Sequence, residues 1–390
     1  MVKAPPTTSP IRHPYTAKNP LHWWGLRIAD IVLSLLMPRA NGWPVARPQR
    51  VLLASGGHLG DAVVLTASIR QVRELLPHAE IGLLIPSWSR VVVEAHPDVG
   101  SIHTIDHWRR NRARVSLSAK MQQFRSTRRR ASREIRAVGY DVGIDLYAYS
   151  PNMAIPLWRA GIPVRAGFVS GGCSPLYTHR FGWGRSGRHM VERHAEMIAS
   201  VLGDLSYSTA MEYDLPAMPH AAARAAALLT AAGVGDDRYT VVHMGSGRAN
   251  PTWPMEKWRA LVVALGDSFG ALLLTGRGDA ERRAIRHVAD GCGDCVDLCD
   301  GPDWETFVEL IRTASCVVTV DTAAAHVAAA VGTPSVVVWP DITDDVSWHP
   351  HGRRVRLVSR RAGVDDVHRA MVEVVTGAPT PRTFVAQAHD

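Results

Sequence analysis

One pattern governs what this chain can fold into: a short, continuously apolar segment, then a small-residue turn, then an amphipathic helix, repeated along its length. In the first half the apolar segments fall at 51–55 (VLLAS), 81–85, 101–105 and 141–146. Helical spacing runs through Val63, Ile69, Val72 and Leu76, closed by Pro77, and returns over 190–202. The second half alternates helix 220–232, strand 240–244, helix 254–266, strand 271–275, helix 279–289, strand 295–299, helix 303–314, strand 316–320, helix 322–331 and strand 335–339. A strand with one wet face alternates polar and apolar residues. These segments are apolar throughout, so helices must cover both faces of a parallel sheet. Two such series predict an α/β chain of two doubly wound, Rossmann-like domains facing a central cleft. The expected boundaries are an arm and amphipathic helix over 1–48, a first domain over 49–205, a linker over 206–219, a second domain over 220–376 and a tail over 377–390.

Composition supports two cores. Of the 390 residues 46% are hydrophobic and 21% charged, which is ordinary globular usage, and no apolar run reaches the roughly 18 residues of a spanning helix. The net charge is +8, and 40 of the 44 basic residues are arginine, which suits phosphate-bearing partners. Five cysteines and no secretory leader point to a reducing cytoplasm.

Two stretches stand outside the strand–helix rhythm. Residues 21–37 (LHWWGLRIADIVLSLLM) form a helix on which Arg27, Asp30 and Ser34 make a narrow polar strip in an otherwise apolar surface. Such a helix either lies at a membrane interface, with its two tryptophans in the headgroup layer, or docks on the protein's own surface. Residues 109–136 hold eleven basic residues and one acid, Glu134. That charge suits nucleic acid or an anionic membrane, but no aromatics interleave for base stacking. A solvated helix beside the substrate cleft is the favoured reading, and no nucleic-acid partner is expected.

Four strand-end turns carry candidate chemistry, since ligands of doubly wound sheets sit at the carboxyl ends of strands. The first, Ser55-Gly56-Gly57-His58-Leu59-Gly60-Asp61, lacks the G-x-G-x-x-G order of a dinucleotide site. Its Asp61 stands at a helix start, where it serves either as a cap or as a functional carboxylate. The second, Val320-Asp321-Thr322-Ala323-Ala324-Ala325-His326, puts small residues where helix-start N–H groups could hold a diphosphate. The third, His243-Met244-Gly245-Ser246-Gly247-Arg248, allows close phosphate approach and offers a guanidinium. The fourth, Thr275-Gly276-Arg277-Gly278-Asp279-Ala280-Glu281, carries carboxylates suited to a ribose diol. Cys292, Cys295 and Cys299 have spacing reminiscent of half a metal site, but a fourth ligand is not evident and core packing is the expected role.

Taken together, these motifs resemble the family nine, heptosyltransferase-like glycosyltransferases over about residues 50–375. The resemblance rests on LASGGHLGDAVVLTASIRQVRELLPHAEIGLLI (52–85), GYDVGIDL (139–146), GIPVRAGF (161–168), GSGRANPTWPMEKWRAL (245–261), LLLTGRGDAE (272–281) and VVTVDTAAAHVAAAVGTPSVVVW (317–339). It implies the GT-B fold, with an acceptor-binding first domain and a nucleotide-sugar-binding second domain. It implies an inverting transfer of a sugar, usually heptose from ADP-heptose, to an acceptor hydroxyl. By resemblance Asp61 is the catalytic base, and Gly57, His58 and Gly60 lie on the acceptor side. Ser246, Gly247, Arg248, Gly276, Asp321, Thr322, Ala323, Ala324 and His326 bind the donor. Glu281 matches the ribose-binding acid, with Asp279 as competitor. The family's lysine two residues before the Trp-Pro pair is Pro251 here, so Arg248 or Arg277 is expected to supply the charge.

Inversion needs a base on one side of the anomeric carbon and a stabilised leaving diphosphate on the other. A helix-start carboxylate is a weak base, which suffices when the acceptor proton moves late. No D-x-D motif stands at a suitable strand end, so no metal and no cofactor are expected. The acceptor is either lipopolysaccharide core or a small natural product. Competing readings are a GT-B-type sugar-nucleotide epimerase and a non-catalytic membrane-associated binding protein using residues 21–37.

Overall fold

The computed structural model describes residues 15–17, 19–37, 47–183, 188–203, 212–234, 238–245, 253–290, 292–293, 295–340 and 348–377. The chain divides into two compact units at residues 211/212.

The first unit runs α1 (Pro20–Leu36), β1 (Arg50–Ala54), α2 (Leu59–Leu75), β2 (Glu80–Ile85), α3 (Arg90–Val93), β3 (Ser101–Thr104), α4 (Leu117–Val138), β4 (Val142–Asp145), α5 (Ala154–Arg159), β5 (Val164–Phe168), β6 (His179–Phe181) and α6 (Met190–Leu202). Its six strands are parallel in the order β3-β2-β1-β4-β5-β6. Both sides of β1 are dry because both pack on helices. Leu52 and Ala54 join Leu84, Ile135 of α4 and Leu157 of α5 on one face, while Val51 and Leu53 alternate to the other and are equally buried. Polar atoms stitch α2 to α6: Gln71 donates to the Ala195 carbonyl at 3.0 Å.

The second unit runs α7 (Pro219–Ala231), β7 (Tyr239–His243), α8 (Met255–Leu265), β8 (Ala271–Thr275), α9 (Gly278–Ala289), β9 (Cys295–Asp297), α10 (Trp304–Thr313), β10 (Cys316–Val320), α11 (Ala323–Val331), β11 (Ser335–Trp339), β12 (Val355–Ser359) and α12 (Val364–Thr376). Its strands, again all parallel, follow β12-β11-β10-β7-β8-β9. Renumbered within the unit this is 3-2-1-4-5-6, the same order as the first unit and that of the Rossmann fold. One core cluster holds Trp253 and Trp258, both fully buried with rings edge to face at 5.0 Å, against Val242, Val318 and Val336.

Six elements lie outside the sequence pattern: α3, α5, β5, β6, β12 and α12. Arg165 interrupts β5 and Arg356 interrupts β12, so neither reads as an apolar run. Arg165 satisfies its guanidinium on the carbonyls of Ile162, Pro163 and Leu176. The arginine-rich stretch is helical only from Leu117, where Ser116 accepts the Ala119 N–H at 3.2 Å. The expected linker is described over 212–219, without helix or strand until Pro219 opens α7.

The cysteine reading needs correction. Cys292 and Cys295 form a disulfide, because the turn before β9 brings their Cα atoms to 5.7 Å. Cys299 and Cys316 are free and buried, as packing cysteines should be. No helix among the described residues is long and apolar enough to cross a membrane.

Candidate functional site

In a sheet of this order, the ends of the first and fourth strands diverge and leave a crevice for ligands. Three of the four turns singled out from the sequence occupy these positions, at β1 in the first unit and at β7 and β10 in the second, and the fourth follows β8 beside β7.

At the end of β1 the chain turns through Gly56 and Gly57 into α2. Asp61, on the first turn of that helix, folds its carboxylate back so that Oδ2 accepts the His58 N–H at 2.7 Å. A Cβ on Gly57 would lie 2.2 Å from the Asp61 Cγ, so glycine there is a steric requirement. Gly60 stands on the helix beside it. The Gly57 carbonyl accepts from the Trp88 indole at 3.2 Å, and the His58 ring stacks on Trp88 at 5.8 Å. Burial, with Arg112 and Arg110 close by, pushes the His58 imidazole down to about 4, so it is neutral near pH 7.

Just beyond β4, Tyr147 completes this corner. Burial, and then the charge of Asp61, push its phenol well above the ordinary range. Arg110 lies over its ring at 5.0 Å. Asp145, fully buried at the end of β4, holds this loop by accepting from the Tyr147 N–H (3.1 Å), the Met153 N–H (2.6 Å) and the Tyr177 hydroxyl (2.6 Å). A carboxylate, two guanidinium groups and three aromatic rings thus surround the Gly57–Asp61 turn. Trp88, Arg110 and Tyr147 were missed from the sequence, and their one legible signal is position, each closely following the end of a neighbouring strand.

In the second unit, Glu281 on the first turn of α9 reaches back across the ends of β7 and β8. Its Oε2 accepts the Arg277 N–H at 2.7 Å. A Cβ on Gly245 would fall 2.2 Å from its Cδ, and one on Gly276 would fall 3.0 Å from its Cβ. Burial raises the Glu281 carboxyl above its usual value. Asp279, its competitor, is exposed. Glu281 is thus packed against the glycines that follow β7 and β8.

At β10, Asp321 and Thr322 lead into α11 at Ala323. Thr322 makes no side-chain cap there, and only methyl groups follow at Ala323, Ala324 and Ala325. His326 points inward. It is 6% exposed, its Nδ1 lies 3.4 Å from the Tyr213 hydroxyl, and burial lowers it to about 4. Tyr213 also accepts the His351 N–H at 3.3 Å, so His326 anchors the helix start to the 348–351 segment. Ser246, Gly247, Arg248 and Pro251 lie outside the described residues.

The sequence profile of glycosyltransferase family 9 (heptosyltransferase) matches residues 128–372. Lipopolysaccharide heptosyltransferase 1 of Escherichia coli K12 is 24% identical over 301 residues, covering 74% of this chain and 87% of that protein. The glycosyl transferase family 9 structure from Veillonella parvula superposes with a TM-score of 0.73 at 16% identity, covering 87% of this chain and 99% of that one. The E. coli heptosyltransferase WaaC with ADP gives 0.65 at 21% identity, over 83% and 99%. These neighbours share the GT-B fold. With a family match over more than half its length and two parallel Rossmann-like units bearing turns at their strand-order switch points, this chain belongs to glycosyltransferase family 9 and is a glycosyltransferase.

Proposed function

We propose that the chain transfers heptose from ADP-heptose to an acceptor hydroxyl with inversion at the anomeric carbon. One observation carries the reading: each unit gathers the expected groups at its own switch point, Asp61 over Gly57 in the first and Glu281 over Gly245 and Gly276 in the second. Solved structures of E. coli WaaC hold ADP and ADP-2-deoxy-2-fluoro heptose, which supports an adenine nucleotide donor.

In this reading Asp61 takes the proton of the acceptor hydroxyl as its oxygen bonds to the anomeric carbon. The bond from that carbon to the diphosphate oxygen breaks, and ADP leaves with the electron pair. The N–H groups opening α11 stabilise the leaving charge through the helix start and its dipole. Arg277, exposed on its turn, supplies the guanidinium that stands in for the family lysine. Glu281 accepts the ribose hydroxyls. No metal is required, because N–H groups and guanidinium neutralise the diphosphate.

For the acceptor we favour a saccharide of the lipopolysaccharide core, supported by the names of the curated relatives and by Arg110 and Arg112 beside His58, which suit an anionic acceptor. The test supplies ADP-heptose with either a lipopolysaccharide-core saccharide or an aminoglycoside, and follows ADP release and product mass. Core-dependent ADP release supports the reading. Release only with the aminoglycoside overturns the acceptor, and conversion of the donor without any acceptor overturns transfer itself.

A further inference from the structure

Helix α1 docks on its unit yet leaves a second apolar face exposed, unlike an ordinary docked amphipathic helix. Such helices turn an apolar stripe inward and charge outward. Here only Asp30 of the polar strip faces the protein, accepting from the Ser174 N–H (3.2 Å), the Ser174 hydroxyl (2.9 Å) and the Tyr15 hydroxyl (3.1 Å), while Arg27 and Ser34 are exposed. Leu33 and Met37 add apolar contact on the same side, packing as Phe124 does against the cluster that holds Leu52 and Ala54. A carboxylate held by three donors fixes the rotation of the helix. Leu21, Trp24, Ile28, Ile31, Leu35 and Leu36 consequently point outward, with Leu21 84% and Leu35 82% exposed. They follow helical spacing and form one apolar strip about 22 Å long. No residue of α1 is buried.

The surroundings identify what covers that strip. The first turn of α1 lies beside the segment that opens the arginine-rich stretch, with Arg109 Nη1 3.3 Å from His22 Nε2. The same segment exposes Arg112 and Arg114, and then the apolar Val115 and Leu117. An open cavity of about 480 Å³ lies there, lined by Trp108, Arg109 and Lys120 among others. Glu134, the lone acid of the stretch, is engaged by His103 at 3.2 Å. A second copy of the chain would bring arginine against arginine, and a nucleic acid would have no use for the apolar strip. An anionic bilayer accepts both features, since acyl chains take leucine, isoleucine and tryptophan while headgroups take guanidinium.

We propose that α1 and the adjoining arginine segment form a peripheral docking surface for an anionic lipid bilayer, with α1 lying in the membrane plane, its apolar face submerged. This goes beyond the transferase reading and stands independently of it.

Sedimentation of the full chain with vesicles tests the proposal, using phosphatidylcholine alone or mixed with phosphatidylglycerol. The protein is expected to sediment with the mixed vesicles, and less so as salt rises. Ile28→Glu/Ile31→Glu should weaken binding on the order of tenfold or more with the melting temperature unchanged, because both side chains are exposed. Arg109→Glu/Arg114→Glu leaves the apolar strip intact. It should weaken binding to mixed vesicles by about fivefold or more per residue without changing binding to neutral ones. Wild-type affinity in either variant overturns the proposal, as does binding indifferent to lipid charge. A dimer that Ile28→Glu/Ile31→Glu dissolves, with no vesicle binding by either form, also overturns it and assigns the strip to a second copy.

Discussion

The Asp61 carboxylate occupies the space that a side chain on Gly57 would need, 2.2 Å from the position of the missing Cβ. The backbone of the turn and the proposed base are therefore one steric unit. Gly57→Ala should push the carboxylate off the His58 N–H and destabilise the fold by about 1–3 kcal/mol, the usual range for overpacking. A displacement of the order of 1 Å at a reacting group costs about a hundredfold in rate. Turnover and melting temperature on the same preparation check both. Unchanged turnover would mean that the position of Asp61 is irrelevant to the chemistry.

Arg277 offers a cleaner separation of side chain from backbone. Its N–H holds Glu281, and Arg277→Ala keeps that bond. Only the guanidinium is lost, so ADP affinity should fall about ten- to a hundredfold, the worth of a charge-assisted contact of roughly 1.5–3 kcal/mol. Isothermal titration with ADP reads this directly. UDP should bind more weakly than ADP to the wild type, and tighter UDP binding would contradict the proposed donor.

Chelators should leave sugar transfer intact, since the proposed scheme neutralises the diphosphate with N–H groups and guanidinium. Activity lost on adding chelator and restored by magnesium or manganese would contradict it.

Stability should fall on mild acidification. Burial lowers His194, bonded through Nε2 to the Leu146 carbonyl at 2.8 Å, to about 4, and His326 likewise. The unfolded chain protonates these groups near their ordinary value of about 6.5, while the folded chain does not. Their contribution is fully present above pH 6.5 and is lost as pH falls towards 4. Asp145 works the other way, because burial raises it to about 6, and burial raises Asp30 and Glu281 too. But His58, His107 and His243 are also lowered to about 4, so the histidines outnumber these carboxylates. Denaturant melts between pH 7 and pH 5 should show the decline, and His194→Asn should flatten it by about one proton's worth of slope.

The fold was legible wherever burial was symmetrical. Strands β1, β8, β10 and β11 are apolar at nearly every position because helices cover both their faces. β5 and β12 escaped because Arg165 and Arg356 sit within them, and a guanidinium that finds local carbonyls leaves no trace in hydropathy. The candidate site was legible in its glycines and carboxylates, whose spacing is local. The inward turn of His326 was not, because its partner Tyr213 is 113 residues away. The orientation of α1 was hidden for the same reason: a helical wheel shows the polar strip, but Ser174, which holds Asp30, lies 144 residues on.

The central claim is that Asp61 acts as a base and not only as the cap of α2. Asp61→Asn keeps an oxygen able to accept the His58 N–H, so the variant should fold with a near-normal melting temperature and bind ADP normally. Its rate of sugar transfer should nevertheless fall by about 10²–10⁴, the worth of a positioned general base. Transfer at more than about a tenth of the wild-type rate, below the least expected of a general base, would contradict the account and leave Asp61 as a structural cap.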